Sequence, residues 1–394
     1  MRVFAGQMTA PAGRTVADAI PLVVIAAACF GIAGGLPLLQ IAANRLVVGT
    51  PVSAVAALGS RGWLVVGLCL LGGLLQGAGR SRVVAFAALA AFSAALMLLA
   101  AGLGAAAADL VAGQPPAARA RLASGSWVGL LLLSGLVAAA AARVRMPGSG
   151  WLTLAALMAG FVLLYASGAF DGLSLAMEYR ARAGSVRAAV IQHLILSATA
   201  VALSALGCVL LYAWRPGRGA VEIAVNGLQV VPAVALLGGL VALTSGLLTA
   251  FPAMRSAGLS ALGPGPAILA VAAYLLLPLW RGLEGALRAP DPATIDAARA
   301  IGLTSHQTLR DVRLPLGAPI LVGALRVASV QSIGLATLGA LVGAGGLGGI
   351  VFDGMSQFAP DLILLGALPV IGISLIVERA LSLLENRVRQ RWHG

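Results

Sequence analysis

The run VVAFAALAAFSAALMLLAAGLGAAAA, residues 83–108, contains no charged side chain. An α-helix needs about 20 apolar residues to cross a bilayer, and this run is longer. The rest of the chain has the same character, because 60% of its 394 residues are hydrophobic and only 10% are charged. Soluble domains carry about 25% charged residues. The sequence therefore predicts an all-α polytopic membrane protein.

Apolar runs of bilayer length recur along the chain and predict about ten membrane spans. The eighth is the shortest, and Pro278 lies near its end. The ten predicted spans are Ile20–Ile41, Trp63–Gly79, Val83–Ala108, Trp127–Ala142, Trp151–Phe170, Ala189–Trp214, Ile223–Leu248, Pro266–Trp280, Pro319–Val342 and Leu362–Leu384.

The distribution of basic residues predicts the orientation of these spans. With the N-terminus in the cytoplasm, the inside segments hold sixteen arginines and the outside segments hold eight. Cytoplasmic loops of membrane proteins carry the excess of basic residues, so both termini are predicted to be cytoplasmic. The arginines are scattered between apolar runs, and this argues against nucleic acid as a partner.

Residue types exclude several kinds of chemistry. All 26 basic residues are arginines, and a Walker A phosphate loop needs a lysine, so any ATP hydrolysis must occur on a partner. The run Gly343–Gly349 follows no strand and is predicted to form a tight turn at the outer face. No catalytic group, metal site or cofactor is predicted. The cysteines, expected to pack in apolar runs, and the histidines, too far apart in sequence for a zinc site, are Cys29, Cys69, Cys208, His193, His306 and His393.

The polar segment 281–315 differs from the other loops because it contains signals for two short helices. Asp291 is a predicted N-cap followed by Pro292, and that helix should stop near Gly302. Thr304 and Gln307 predict a capping box for a second helix that ends before Pro315. From these residues alone, the segment is equally well interpreted as an amphipathic connector whose arginines face lipid phosphate.

The spacing within this segment resembles the EAA loop of ATP-binding-cassette (ABC) importer permeases. That pattern is Glu-Ala-Ala, three residues, Gly, nine residues, then Ile, any residue, Leu-Pro. All spacings match, with Asp in place of Glu and Val in place of Ile. The positions that correspond to the pattern are Asp296, Ala297, Ala298, Gly302, Val312, Leu314 and Pro315.

The resemblance covers about Val190 to Asn386, and within the class it is closest to osmoprotectant permeases for glycine betaine or choline. Residues 229–232 (QVVP), 291–299 (DPATIDAAR) and 340–348 (ALVGAGGLG) carry it. The extra N-terminal spans resemble the Yeh-type branch of that group. The resemblance implies an N-terminal membrane region at 1–170, an extracytoplasmic connector at 171–188, and a five-helix MetI-like core at 189–394 with the coupling loop at 281–315.

The resemblance also implies an assembly in the bacterial inner membrane. Two permease copies would pair, two cytoplasmic ATPase subunits would receive the EAA helices, and a periplasmic or lipid-anchored binding protein would deliver substrate. Aromatic residues make up 5% of the chain, so the aromatic cage that a quaternary ammonium needs is expected in the binding protein.

Polar residues inside the spans have two interpretations. Asn226, Gln229, Ser329 and Gln331 are candidates for lining a translocation path. Intramembrane amides and hydroxyls also commonly form hydrogen bonds between helices, and the sequence slightly favours that alternative. His193 is expected at the membrane interface, and Arg326 is expected to extend its charge towards the inner surface.

A secondary transporter or channel that works without ATP is the alternative function. Such proteins usually show inverted repeats, broken helices and a mid-membrane ionisable residue, and the sequence shows no clear example of these. A membrane enzyme would need a reactive cluster that the sequence does not show.

Overall fold

The computed structural model describes residues 24–25, 27, 35–44, 47–78, 81–146, 148–214, 217–256 and 258–393. Within these residues, nine helices are long and apolar enough to cross a membrane, and they coincide with predicted spans two to ten. The first predicted span lies mostly outside the described residues, as does Cys29. The chain divides into two compact units, residues 1–180 and 181–394.

The first unit is a bundle centred on one long helix. Its helices are α1 (Ala54–Leu58), α2 (Ser60–Ala78), α3 (Arg82–Val111), α4 (Ser124–Arg143), α5 (Ser149–Ala166) and the start of α6 (Ser174–Ala213). The Ser81 side chain accepts a hydrogen bond from the Val84 amide and so caps α3. Phe92 and Leu99 of α3 are fully buried, and Cys69 of α2 belongs to the same apolar cluster.

A small antiparallel sheet in the first unit was not predicted. It comprises β1 (Leu39–Ala42), β2 (Thr50–Val52) and β3 (Arg119–Leu122), in the order β2-β1-β3. Leu39 to Ile41 had been assigned to the first span, and they pair instead with both neighbouring strands. The sheet joins the segment before α1 to the loop between α3 and α4, and Ala120 bridges to Leu173 after α5. These segments therefore lie at the same end of the bundle. The predicted spans require this, because an even number of spans separates each segment from the next.

Every regular element among the described residues of the second unit is a helix. After α6 come α7 (Arg218–Leu228), α8 (Ala233–Ala250), α9 (Ala253–Ser256), α10 (Pro264–Arg288), α11 (Pro292–Ala300), α12 (Ser305–Gln307), a π-helical turn (Thr308–Arg313), α13 (Leu314–Ala336), a 3-10 turn (Thr337–Val342), α14 (Leu347–Ser356) and α15 (Pro360–His393). Trp280 and Leu275 of α10 are buried in its apolar core together with Cys208 of α6.

Several predicted boundaries in this unit are wrong for identifiable reasons. The seventh span is broken between α7 and α8, because the residue before Pro232 is disfavoured in the helical conformation. The eighth continues through Pro278 to Arg288, since neighbouring helices in a membrane tolerate an internal proline. Most of the predicted connector 171–188 is the first part of α6, and the helix α14 follows the glycine-rich turn. Asp361, near the start of α15, is 6% exposed.

Helices α10 and α13 pack with their backbones close together. A Cβ added to Gly317 would lie 2.3 Å from the carbonyl oxygen of Ala286, and one added to Gly282 would lie 2.1 Å from the Cβ of Ala324. Small residues allow such an approach, and it supplies the dispersion contacts that hold membrane helices together. The contact fixes α13 against the end of α10 that leads into the segment 289–313.

The variant Gly317→Ala should separate these two helices, because its methyl group meets backbone atoms that cannot rotate away. We expect a loss of about 1–3 kcal/mol, which thermal unfolding of the detergent-solubilised protein would detect. Gly334→Ala in the same helix is the control, since its methyl group would meet no atom within 4 Å. Equal unfolding temperatures for the two variants would contradict the close packing.

Candidate functional site

The segment that connects α10 to α13 begins with a capped helix, as predicted. The Asp291 carboxylate accepts a hydrogen bond from the Ala293 amide, and Pro292 occupies the first turn of α11. On the exposed side of this helix, Asp296 and Arg299 form an ion pair of 3.3 Å. An exposed pair of this kind contributes little to stability, so both charges remain available to a partner.

A glycine in the left-handed conformation ends α11. Gly302 has φ +86°, its amide donates to the Arg299 carbonyl, and the Leu303 amide donates to the Ala298 carbonyl. This pair of bonds is a Schellman motif, which satisfies carbonyls at the helix end and turns the chain sharply. A side chain at Gly302 would meet no atom within 4 Å, so the requirement for glycine there is conformational and leaves the surface open.

The second helix starts as predicted but does not stop. Thr304 and Gln307 form the capping box in both directions. The predicted end before Pro315 is wrong, because a π-helical turn at Thr308–Arg313 leads directly into α13. The wider turn lets the chain pass the proline, whose ring would clash with the preceding turn of a regular α-helix. Arg313 also donates to the Leu287 carbonyl at 3.0 Å and ties the turn to α10.

These elements form a compact knob, residues 291–315, with an apolar and charged outer surface. Ile295, Ala298 and Thr308 are buried beneath it. Ile301, which lies outside the sequence pattern, is 78% exposed. Of the positions in the sequence pattern, Asp296, Ala297, Gly302 and Leu314 are exposed and Val312 and Pro315 are half-buried, and the apolar neighbours Ile301 and Leu309 are exposed as well. A large exposed isoleucine next to small residues, on a knob with fixed ends, suits contact with another protein.

Two of the four candidate path residues make contacts between helices. Asn226 of α7 accepts a hydrogen bond from Arg281 of α10 at 3.2 Å. The Nε2 group of the Gln229 side chain donates to the Tyr274 carbonyl at 2.7 Å, and the Tyr274 hydroxyl donates to the Val231 carbonyl. The break between α7 and α8 is therefore braced against α10.

The other two candidates, Ser329 and Gln331 of α13, are half-buried, and their side chains form no hydrogen bond with any described residue. The neighbouring Ser332 is buried and donates to the Ser197 carbonyl of α6. A small apolar cavity lies near Tyr274, lined by α8, α10 and the end of α13. No hydrogen bond among the described residues joins Ser329 or Gln331 to Asn226 or Gln229.

The glycine-rich turn after α13 is held by Gln192 of α6, and the adjacent His193 bonds to α13 itself. The Gln192 side chain donates to the Ala344 carbonyl at 2.9 Å and accepts from the Gly346 amide at 3.0 Å. Gly345 and Gly346 both have φ above 70°, and a Cβ on Gly345 would collide with Gln192. His193, expected at the membrane interface, is instead fully buried, and its Nε2 donates to the Ile333 carbonyl.

The guanidinium of Arg326, expected to extend towards the inner surface, contacts the carboxylates of Glu378 and Glu385 of α15, and its side chain is 32% exposed. Among the described residues, no group of three His, Cys, Asp or Glu side chains could hold a metal ion.

Comparison with known proteins identifies the family. Residues 18–176 match the N-terminal domain of the ABC transporter permease YehY, and residues 204–390 match the binding-protein-dependent transport system inner membrane component. The osmoprotectant import permease protein OsmW of Salmonella typhimurium is 32% identical over 211 residues, which cover 52% of this chain and 91% of OsmW. The chain belongs to this permease family. The predicted Yeh-type N-terminal region is confirmed.

Another relative of the permease is the glycine betaine/carnitine/choline transport system permease protein OpuCB of Bacillus subtilis, 30% identical over 201 residues, which cover 50% of this chain and 85% of OpuCB. Among solved structures, the MetNI methionine ABC transporter in an inward-facing conformation matches with 26% identity and a TM-score of 0.42, over 50% of this chain and 93% of the transporter chain.

The protein is therefore a multi-pass membrane permease component of an ABC importer. Membership of this family implies an ATPase partner and a substrate-binding partner. The residues that match the spacing of the EAA pattern all lie in the knob 291–315.

Replacing Gln192 with leucine should loosen the glycine-rich turn, because the buried Ala344 carbonyl and Gly346 amide lose their partner. An unmade buried hydrogen bond costs about 1–3 kcal/mol, so the Gly346 amide should exchange with deuterium about tenfold faster or more. Thr199→Val on the same helix is the control, since that hydroxyl bonds only to carbonyls of its own helix. Unchanged exchange in Gln192→Leu would contradict the clamp.

Proposed function

We propose that the knob 291–315 is the surface by which a cytoplasmic ATPase subunit drives this permease. The observation that carries the proposal is the joint presence of the EAA spacing, a capped helix pair and an exposed apolar surface at Ile301. The spacing places Gly302 where a left-handed turn is needed, and the turn leaves the surface open for close approach. The coupling residues are Asp296, Ala297, Ala298, Gly302, Val312, Leu314 and Pro315.

The knob can transmit displacement because it is joined to the membrane helices without a flexible linker. Residues 305–342 form one continuous helical stretch that leads from the knob across the membrane. Arg313 attaches the same stretch to the end of α10. A push on the knob therefore moves α10 and α13 as rigid bodies, the kind of motion that switches a transporter between two states.

We propose quaternary-amine osmoprotectants, such as glycine betaine and choline, as the substrates. The relatives OpuCB, a glycine betaine/carnitine/choline permease, and OsmW, an osmoprotectant import permease, support this class. The permease itself carries few aromatic residues, so recognition of the cation is assigned to the binding protein. Ser329 and Gln331 are the candidates for the path, since they keep unused polar groups on the described part of α13.

We further propose a homodimeric permease in the bacterial inner membrane, with both termini and the knob in the cytoplasm. The excess of arginines in the inside segments supports this orientation. In this assembly, the permease is a non-catalytic subunit that requires no cofactor, and it couples hydrolysis on the ATPase to movement of substrate.

The variant Gly302→Val tests the coupling role. A β-branched residue in the left-handed conformation costs about 1–3 kcal/mol and should unwind the turn that positions Ile301. In proteoliposomes with the ATPase and binding protein, we expect uptake of labelled glycine betaine or choline to fall at least about tenfold. Gly258→Val is a matched control, because Gly258 has φ +87° and equally open surroundings in the α9–α10 loop.

Equal uptake by the two valine variants would refute the coupling role of the knob. Uptake that is normal in the wild type but requires neither ATP nor the ATPase subunit would instead favour a secondary transporter.

Accessibility labelling tests the orientation. Ser305 lies on the knob and Ser260 in the α9–α10 loop, and both are exposed. A membrane-impermeant maleimide should label Ser260→Cys in intact cells and Ser305→Cys only after permeabilisation, with the unmodified chain as background. Labelling of Ser305→Cys in intact cells would place the knob on the wrong side for an ATPase.

A further inference from the structure

Arg326 of α13 lies between two carboxylates of α15. One guanidinium nitrogen is 3.4 Å from the Glu378 carboxylate, and the other is 3.4 Å from that of Glu385. Arg379 and Arg389 flank the two glutamates at 3.5 Å and 2.8 Å. The side chains of Arg379 and Arg389 are more than half exposed, whereas Glu385 is 13% exposed. Arg326 is thus the cation at the centre of the cluster.

Such a cluster within the length of a spanning helix needs a physical reason. Arg326 lies on α13 and the two glutamates lie on α15, and both helices are long and apolar enough to cross a membrane. Ionisable groups in membrane spans are costly, and they usually pair with one another and serve a function. The Arg326 side chain is about one-third exposed, and its buried Nε has no hydrogen-bond partner among the described residues. Apolar side chains would therefore pack these two helices at a lower free-energy cost.

The position of Arg326 relates the cluster to the knob. Arg326 lies twelve residues after Leu314 on one uninterrupted helix, which places it about 18 Å from the knob along the helix axis. Helices α13 and α15 run in opposite directions along the chain path and pack along this length. In lipid no hydrophobic force drives two apolar helices together, so polar contacts decide which helices stay in register.

We infer that Arg326 is a positioning residue that clamps α15 to α13, so that both helices move together when the knob is displaced. This inference rests on the proposed coupling role of the knob and adds a second element to the moving body. The guanidinium of Arg326 contacts two carboxylates that lie seven residues apart, about two turns of α15. These two contacts resist both sliding and rotation of one helix against the other.

A cluster that serves only folding makes a different prediction. Removing the arginine alone leaves two uncompensated carboxylates, which destabilises any such site whatever its role. Removing all three charges together is often tolerated, because the cost of burying them disappears as well. The neutral triple variant therefore separates stability from coupling.

The test compares Arg326→Met/Glu378→Gln/Glu385→Gln with the wild type in proteoliposomes containing the ATPase and binding protein. We expect the triple variant to bind the ATPase subunit normally but to hydrolyse about three- to tenfold more ATP per substrate imported, the factor that a polar contact between membrane helices supplies. Arg387→Gln is the control: it is exposed on α15 and forms no ion pair with a described residue.

Wild-type stoichiometry in the triple variant would overturn the inference and leave the cluster a folding element. If the triple variant cannot be purified, Arg326→Lys decides, since one ammonium group keeps the charge but cannot span both carboxylates. Increased ATP use by Arg326→Lys supports the clamp, and unchanged ATP use overturns it. If instead the knob has no coupling role, Gly302→Val and Gly258→Val show equal uptake. That comparison does not use the triple variant, so the two outcomes can be told apart.

Discussion

Backbone polar groups inside a membrane must find partners within the protein, and this constraint explains where side chains of the second unit are placed. The helix break at Gln229–Pro232 exposes backbone groups, and Tyr274 and Gln229 form hydrogen bonds that brace it. The glycine-rich turn that follows α13 also has buried backbone groups, and Gln192 pairs with one carbonyl and one amide there. Outside the span, Gly302 lets the backbone satisfy its own helix end. Each irregular point is therefore stabilised locally and can keep a defined shape when the helices move.

The length of apolar runs predicted nine of the membrane helices because burial in lipid depends on composition over about twenty residues, which a single sequence displays directly. Local capping signals likewise identified Asp291 and Thr304, since their partners lie within three residues. The sheet escaped prediction because its strands have three or four residues, too few for a periodic pattern, and pair across the chain. The continuation of the helix through Pro315 depends on a π-helical turn, for which the residues give no local signal.

Sequence spacing located the knob but not the residues that complete it. Ile301 lies beside Gly302 and outside the family pattern, and only the turn geometry shows that its side chain points outwards. The partners of Gln192 lie more than 150 residues away, so no local pattern could relate them. Arg326 could be assigned to a span, but its two carboxylates depend on the register of α15 against α13. A single sequence does not predict which polar groups pair over a long range, whereas it does predict features that depend on repeated apolar residues or on local capping patterns.

The contacts of α13 occur at different heights and with different neighbours, and this determines how a force on the knob would travel. Near the knob, Gly317 brings the backbone of α13 against Ala286 of α10. Further along, Arg326 joins it to α15, and near the far end Ser332 and the following turn are bonded to α6. If α13 contacted its neighbours at only one position along its axis, it could pivot freely. Because it contacts three different helices at three positions along its axis, its displacement is transmitted to all of them. Because hydrogen bonds and charge pairs have a short range, such a bundle favours discrete arrangements over continuous bending, as a transporter that alternates between two states requires.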